Sequence, residues 1–105
     1  MQTAIARFLQ YLTVERNASA YTIKSYREDL TALAEYLAEA AGGACPKPEA
    51  ITVLDLRGYV AALHEAGYAK TSIARRLASL RSFFKFGQRE GWTITNPAKP
   101  LRNAR

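Results

Sequence analysis

Residues Lys70–Gly91 read KTSIARRLASLRSFFKFGQREG. Ile73, Leu77, Leu80 and Phe84 recur at i, i+4, i+7 and i+11, the spacing of a single helical face. Thr71 or Ser72 is expected to cap the start, since a hydroxyl there can accept from an orphan amide of the first turn. Gly91 stands where a left-handed residue ends a helix. At about 1.5 Å per residue the helix should be roughly 30 Å long. Six cations lie between Lys70 and Arg89 (Lys70, Arg75, Arg76, Arg81, Lys85, Arg89), with no Asp or Glu among them. One side of this helix is apolar and another is basic, and the remaining segments read as the scaffold that presents it.

Working back from Lys70, the connection Gly67-Tyr68-Ala69-Lys70 is too short to do more than turn the chain. Before it, Thr52 to Gly67 reads as a helix with Leu56, Val60 and Leu63 as its stripe and Tyr59 alongside. Thr52-Val53-Leu54-Asp55 has the form of a capping box with Asp in place of Glu or Gln. Gly42-Gly43 and Cys45-Pro46-Lys47-Pro48 mark a loop, because residues before proline disfavour helix. Ser19 is a good N-cap for a helix reaching to about Ala41, with Ile23, Tyr26, Leu30, Leu33 and Leu37 inward and Lys24, Glu28, Thr31 and Glu35 outward. Tyr21, Tyr26 and Tyr36 are expected at the edge of the core, rings covered and hydroxyls in water. Asp29, Glu28, Glu35 and Glu39, with Lys24 and Arg27, read as a solvated face. A first helix from about Thr3 to Arg16 carries Ile5, Phe8, Leu9 and Leu12 on one side. Past Gly91, Pro97 and Pro100 break helix, and residues 96–105 read as a linker with too few apolar residues to pack.

The fold class is therefore all-α: a small bundle of four to five helices, with no convincing strand or internal repeat. The second and fourth helices are longer than a compact helix-turn-helix uses, so a bundle fits better. A length of 105 residues implies one domain, and 49 % apolar residues is globular composition. No apolar run reaches the roughly 18 residues that a membrane span needs, and the first residues do not read as a secretory leader. A single cysteine, Cys45, excludes an internal disulfide and suits a reducing, cytoplasmic compartment. One Cys with one His, His64, makes a zinc site or a Cys–His pair a poor reading. No cofactor, metal or small-molecule ligand is expected, because no glycine-rich phosphate loop or nucleophile-plus-base set is visible.

The net charge of +6 is unevenly distributed. Residues 1–52 carry five Lys/Arg against six Asp/Glu, whereas residues 53–105 carry ten against three. That asymmetry points to a polyanionic partner. On a helical wheel Arg75, Ser79 and Ser82 lie opposite the apolar stripe, Arg76 and Lys85 flank it, and Lys70, Thr71 and Ser72 form the leading edge. Arginine can fork onto guanine edges or phosphates, and Ser and Thr reach phosphates. The amide-rich helix start favours an anion. The competing reading is a solvated surface helix. Phe84 belongs to the core by phase; Phe83 and Phe86 lie off the main stripe, and either pack on a neighbouring helix or await another domain.

With these residues in view, the chain resembles the N-terminal core-binding domain of the tyrosine recombinases, the phage-integrase and Xer group. The resemblance runs from Phe8-Leu9-Gln10-Tyr11-Leu12, through Ser19-Ala20-Tyr21-Thr22-Ile23-Lys24-Ser25-Tyr26-Arg27-Glu28-Asp29-Leu30, to Asn96-Pro97-Ala98. It is sharpest in Ser72-Ile73-Ala74-Arg75-Arg76-Leu77-Ala78-Ser79-Leu80-Arg81-Ser82-Phe83-Phe84-Lys85-Phe86. It implies a SAM-like orthogonal bundle over residues 1–95, one half of a clamp on double-stranded DNA, and a linker from residue 96 toward a catalytic domain. By position it nominates Thr22, Lys24, Ser25 and Arg27 on the second helix. On the fourth it nominates Lys70, Thr71, Ser72, Arg75, Arg76 and Ser79. The partners it implies are duplex DNA and other recombinase protomers in a DNA-bound synaptic tetramer, with no membrane.

The family cuts DNA through a tyrosine that links covalently to a 3′ phosphate, assisted by arginines, a lysine and histidines in a C-terminal domain. None of the six tyrosines here stands in that motif, and one histidine cannot supply the set. These residues alone are therefore expected neither to cut nor to join DNA. The alternative class is a helical protein-interaction domain using Phe83, Phe86 or the acidic face of the second helix. A stand-alone small enzyme has almost no support.

Overall fold

The computed structural model describes residues 1–102; the last part of the expected linker, residues 103–105, lies outside the described residues. The helices are α1 (Gln2–Val14), α2 (Ala20–Ala40), α3 (Val53–Glu65) and α4 (Lys70–Arg89), with one 3₁₀ turn at Pro48–Ala50. No strand occurs among the described residues, so the bundle is all-α as its periodicities predict.

Local chemistry sets the boundaries. The Ser19 hydroxyl accepts from the Thr22 amide at 3.1 Å and starts α2. Thr52 and Asp55 form the expected reciprocal box: Thr52 Oγ1 accepts from the Asp55 amide at 3.1 Å, and Asp55 Oδ2 from the Thr52 amide at 2.9 Å. In contrast, α4 has no side-chain cap. Its N-cap is Ala69, and Thr71 and Ser72 fall inside the first turn, where their hydroxyls cannot play that role. At the other end, Gly91 takes φ +82°. The Trp92 amide donates to the Gly87 carbonyl at 2.8 Å and the Gly91 amide to that of Gln88 at 3.2 Å, a Schellman closure. A methyl group on Gly87 would come within 3.1 Å of the Trp92 ring, so the glycine lets the indole fold back onto the helix.

The core sits around α4, which packs against each of the other three helices. Ile73, Leu77, Leu80 and Phe84 are buried as their phase predicts, with Leu30, Leu33 and Leu37 of α2 and Phe8 of α1 against them. Phe83 and Phe86 are buried as well: each ring lies about 5.5 Å from Phe8, and Phe86 lies 4.7 Å from Tyr11. They are therefore closed against α1, and the interaction surface expected of them as an alternative does not exist. Tyr36 is half-buried beside Tyr59, whereas Tyr21 is 79 % exposed and is not an edge-of-core residue.

The segment after Gly91 differs from a bare linker. Pro97, Ala98 and Leu101 are buried. Asn96 organises the turn: its Nδ2 donates to the Arg81 carbonyl at 3.2 Å, and its Oδ1 accepts from the Ala98 amide at 3.0 Å. Arg81 in turn donates to the Leu101 carbonyl. Three buried apolar side chains plus this local polar lock replace the larger apolar content that independent packing would need.

Candidate nucleic-acid interface

The first half of α4 lies beside the first half of α2, and the contact between them is polar. Asp29 is 2 % exposed and Ser79 6 %. The Ser79 hydroxyl donates to Asp29 Oδ2 at 2.7 Å, and Arg75 Nη2 lies 3.2 Å from Asp29 Oδ1. Arg75 Nη1 then donates to the Ser25 hydroxyl at 2.9 Å. One buried carboxylate thus fixes a half-exposed guanidinium across the α2–α4 seam. A carboxylate removed from water needs such partners, because leaving it unpaired costs several kcal/mol, of order ~3–5.

This arrangement corrects two sequence-based expectations. Asp29 does not belong to the solvated acidic face of α2; Glu28, Glu35 and Glu39 do. Ser79 does not face outward opposite the apolar stripe. Its hydroxyl is engaged by Asp29 and, at 3.3 Å, by the Arg75 carbonyl, which leaves it inside the seam rather than on a binding face. The signal was present in the periodicity: Asp29 lies four residues before Leu33, and Ser79 four before Phe83.

The other nominated residues distribute around this seam. Ser25 and Arg75 are brought together at its rim. Thr22 is half-buried at the start of α2, its hydroxyl accepting from Ser19 at 3.0 Å. Lys24 is exposed on α2. Arg27 is exposed too, but it lines a shallow hollow with Ile5, Leu9 and Thr13 of α1, away from α4. Lys70 and Thr71 are exposed and Ser72 half-buried, all in the uncapped first turn of α4. The N-cap Ala69 offers the amides of that turn no side-chain acceptor, and the helix dipole adds partial positive charge there.

Arg76 lies on the α3 side. Its Nη1 donates to the Tyr59 hydroxyl at 3.0 Å, and its guanidinium sits 4.8 Å from the Tyr68 ring centre. Burial pushes the Tyr59 hydroxyl above its ordinary range, an effect the Arg76 hydrogen bond and charge partly offset. Arg76 therefore helps tie α4 to α3. Among the α4 cations, Arg75, Arg76, Arg81 and Arg89 are engaged within the fold, the last 3.8 Å from Glu15 and 3.4 Å from Glu90. Their partners (Asp29 on α2, Tyr59 on α3, the Leu101 carbonyl in the tail, Glu15 after α1 and Glu90 at the α4 end) lie outside α4, which counting charges within α4 does not reveal.

The chain matches the family model described as "Phage integrase, N-terminal SAM-like domain" over residues 5–91. It belongs to that family, as the motif resemblance implies. Among its relatives, the tyrosine recombinase XerC of Oceanobacillus iheyensis is 35 % identical over 97 residues, covering 92 % of this chain and 31 % of the relative. The tyrosine recombinase XerD of Chlorobaculum tepidum is 40 % identical over 94 residues, covering 90 % and 30 %. XerC of Herpetosiphon aurantiacus is 37 % identical over 101 residues, covering 96 % and 32 %. The chain spans about a third of the length of these curated relatives. No helix among the described residues is long and apolar enough to cross a membrane.

Proposed function

We propose that this chain is the duplex-DNA-binding module of a site-specific tyrosine recombinase, gripping DNA through α2 and α4. The observation that carries the reading is the Ser25–Arg75–Asp29–Ser79 seam, in a chain of the phage-integrase N-terminal family. It fixes the relative placement of two helices whose exposed residues Lys24, Lys70 and Thr71 flank it, with Ser25 and Arg75 at its rim and Thr22 and Ser72 in the adjoining first turns. The uncapped amides of α4 offer a phosphate a ready site. Arg27 and Arg76 belong to the flanks, and Ser79 acts as an internal strut.

Strand cleavage and rejoining are assigned to the parts of the relatives that this chain does not span. Other recombinase protomers are further proposed partners, assembled on the same DNA. Residues 1–95 form the binding body, and the segment from Asn96 is the exit toward the rest of such a protein, with its first residues docked on α4.

Fluorescence anisotropy with a labelled duplex across a salt series tests this. With four to five phosphates neutralised, log K should fall with log salt at a slope of about −4. A slope near zero would point instead to a protein-interaction domain using the exposed acidic face of α2. The same protein should leave supercoiled DNA unrelaxed; relaxation would contradict the assignment of cleavage elsewhere.

A further inference from the structure

A second polar concavity lies on the side of the bundle where α1 ends, α2 begins and the second half of α4 passes. It has a volume of about 560 Å³. Phe8, Leu12 and Phe86 form its apolar floor. Its walls bring three cations together from distant parts of the chain: Arg16 just past α1, and Lys85 and Arg89 on α4. No Asp or Glu stands among the residues that line it.

The cations differ in how they are held. Arg16 Nη1 donates to the Tyr11 hydroxyl at 3.3 Å, which leaves its other donors directed elsewhere. Arg89 packs 4.7 Å from the Tyr11 ring centre and 5.5 Å from that of Phe86, and it is shared with Glu15 and Glu90 outside the cleft. Lys85 is exposed. Between them sit hydroxyls: Tyr26 donates to Ser82 at 3.5 Å across α2 and α4, which leaves the Ser82 proton, with that of Thr22 at the α2 start, to donate to an anion. Cations with neutral hydroxyl donors over an apolar floor suit an oxyanion with several acceptor oxygens. Thr22 also stands among the residues nominated for the α2–α4 interface, so the cleft adjoins it.

We propose that this cleft is a second phosphate site, taking a backbone phosphate of the bound nucleic acid beyond the segment that crosses the α2–α4 seam. Arg16 and Lys85 supply the charge, Ser82 and Thr22 supply neutral donors, and Tyr26 orients the Ser82 hydroxyl. Arg89 holds the floor in place more than it binds, because Glu15 and Glu90 already engage it. The inference rests on the duplex-binding reading and lengthens the DNA track past it.

The test compares salt dependence of duplex binding in Arg16→Ala/Lys85→Ala with the wild-type chain. Both side chains are exposed, so the fold should survive, which circular dichroism checks. Loss of one phosphate contact should make the slope shallower by about 1 and weaken binding about tenfold at low salt. Arg16→Lys/Lys85→Arg, which keeps both charges, should retain the wild-type slope. Lys47→Ala, which removes an exposed charge beside the 3₁₀ turn, should leave the slope unchanged. A wild-type slope in the double alanine variant would overturn the phosphate site and leave duplex binding standing. Equal loss in Lys47→Ala would overturn it too, by showing that only net charge matters. No duplex binding by the wild-type chain would refute the underlying reading and this site with it.

Discussion

The two halves of α4 solve opposite problems with one continuous helix. From Phe83 onward most of the helix is enclosed: Phe83, Phe84, Phe86 and Gly87 are buried, the end closes over Trp92, and Lys85, Gln88 and Arg89 remain exposed. Up to Ser82 it is buried on one side only, its start carries no side-chain cap, and its polar contact with α2 runs through a buried carboxylate. The enclosed half contributes stability by area removed from water, which needs no special geometry. The open half leaves amides and cations toward solvent. Its buried Asp29–Ser79 pair sets where α2 stands. Apolar burial thus dominates the second half and the polar seam the first, with Lys85 and Arg89 the exposed cations of the second half, and substitutions in each half should fail differently.

The largest effect belongs to the enclosed half. Phe84→Ala should lower unfolding free energy by about 3–5 kcal/mol in urea titrations, since a fully buried aromatic leaves both a lost transfer term and a cavity. Duplex affinity of the fraction still folded should change little. If affinity falls with the fold intact, the two halves are not separable.

Next is the strut. Asp29→Ala strips partners from Arg75 and Ser79 and should cost about 1–3 kcal/mol, tempered because Arg75 is half-exposed. Unlike Phe84→Ala, it should also change the salt slope of duplex binding, because the freed Arg75 is no longer neutralised or aimed. A stability loss with an unchanged slope would reduce Asp29 to a packing residue.

Two helix starts give smaller and opposite effects. Thr52→Ala removes the α3 box and should cost about 1 kcal/mol, with duplex binding untouched. Ala69→Asp supplies the cap that α4 lacks, at a residue already extended with φ −63° and ψ 149°. It should stabilise the fold by about 0.5–1 kcal/mol while weakening duplex binding several-fold, because a carboxylate occupies the place of a phosphate. A variant that gains stability and keeps its affinity would show that the uncapped turn is not used.

Much of this architecture was legible in the residues. The apolar stripes fixed the helices, Ser19 and Thr52 marked two starts, and Gly91 marked an end, since each depends on chemistry within a few positions. The α2–α4 seam was legible in part. Ser25 and Arg75 were nominated and do meet, but Arg76 bridges to α3, so Arg76→Ala should cost stability as well as binding, contrary to its place off the apolar stripe. Asp29 and Ser79 were read as surface residues because polarity ordinarily signals exposure. Helical phase places them beside the core, but the Arg75 partner that neutralises Asp29 comes from another helix, which phase alone does not reveal. The docking of Ala98 and Leu101 was illegible for a related reason: it depends on Asn96 reaching the Arg81 carbonyl, a contact set by where α4 already lies.

The most direct test is an amide chemical-shift titration of the chain with a short duplex at two salt concentrations. The account predicts shifts concentrated at the start of α2 and over residues 70–79, with Arg16 and Lys85 included, all shrinking as salt rises and α3 largely silent. Salt-independent shifts centred on the acidic face of α2, or no shifts at low salt, would contradict it.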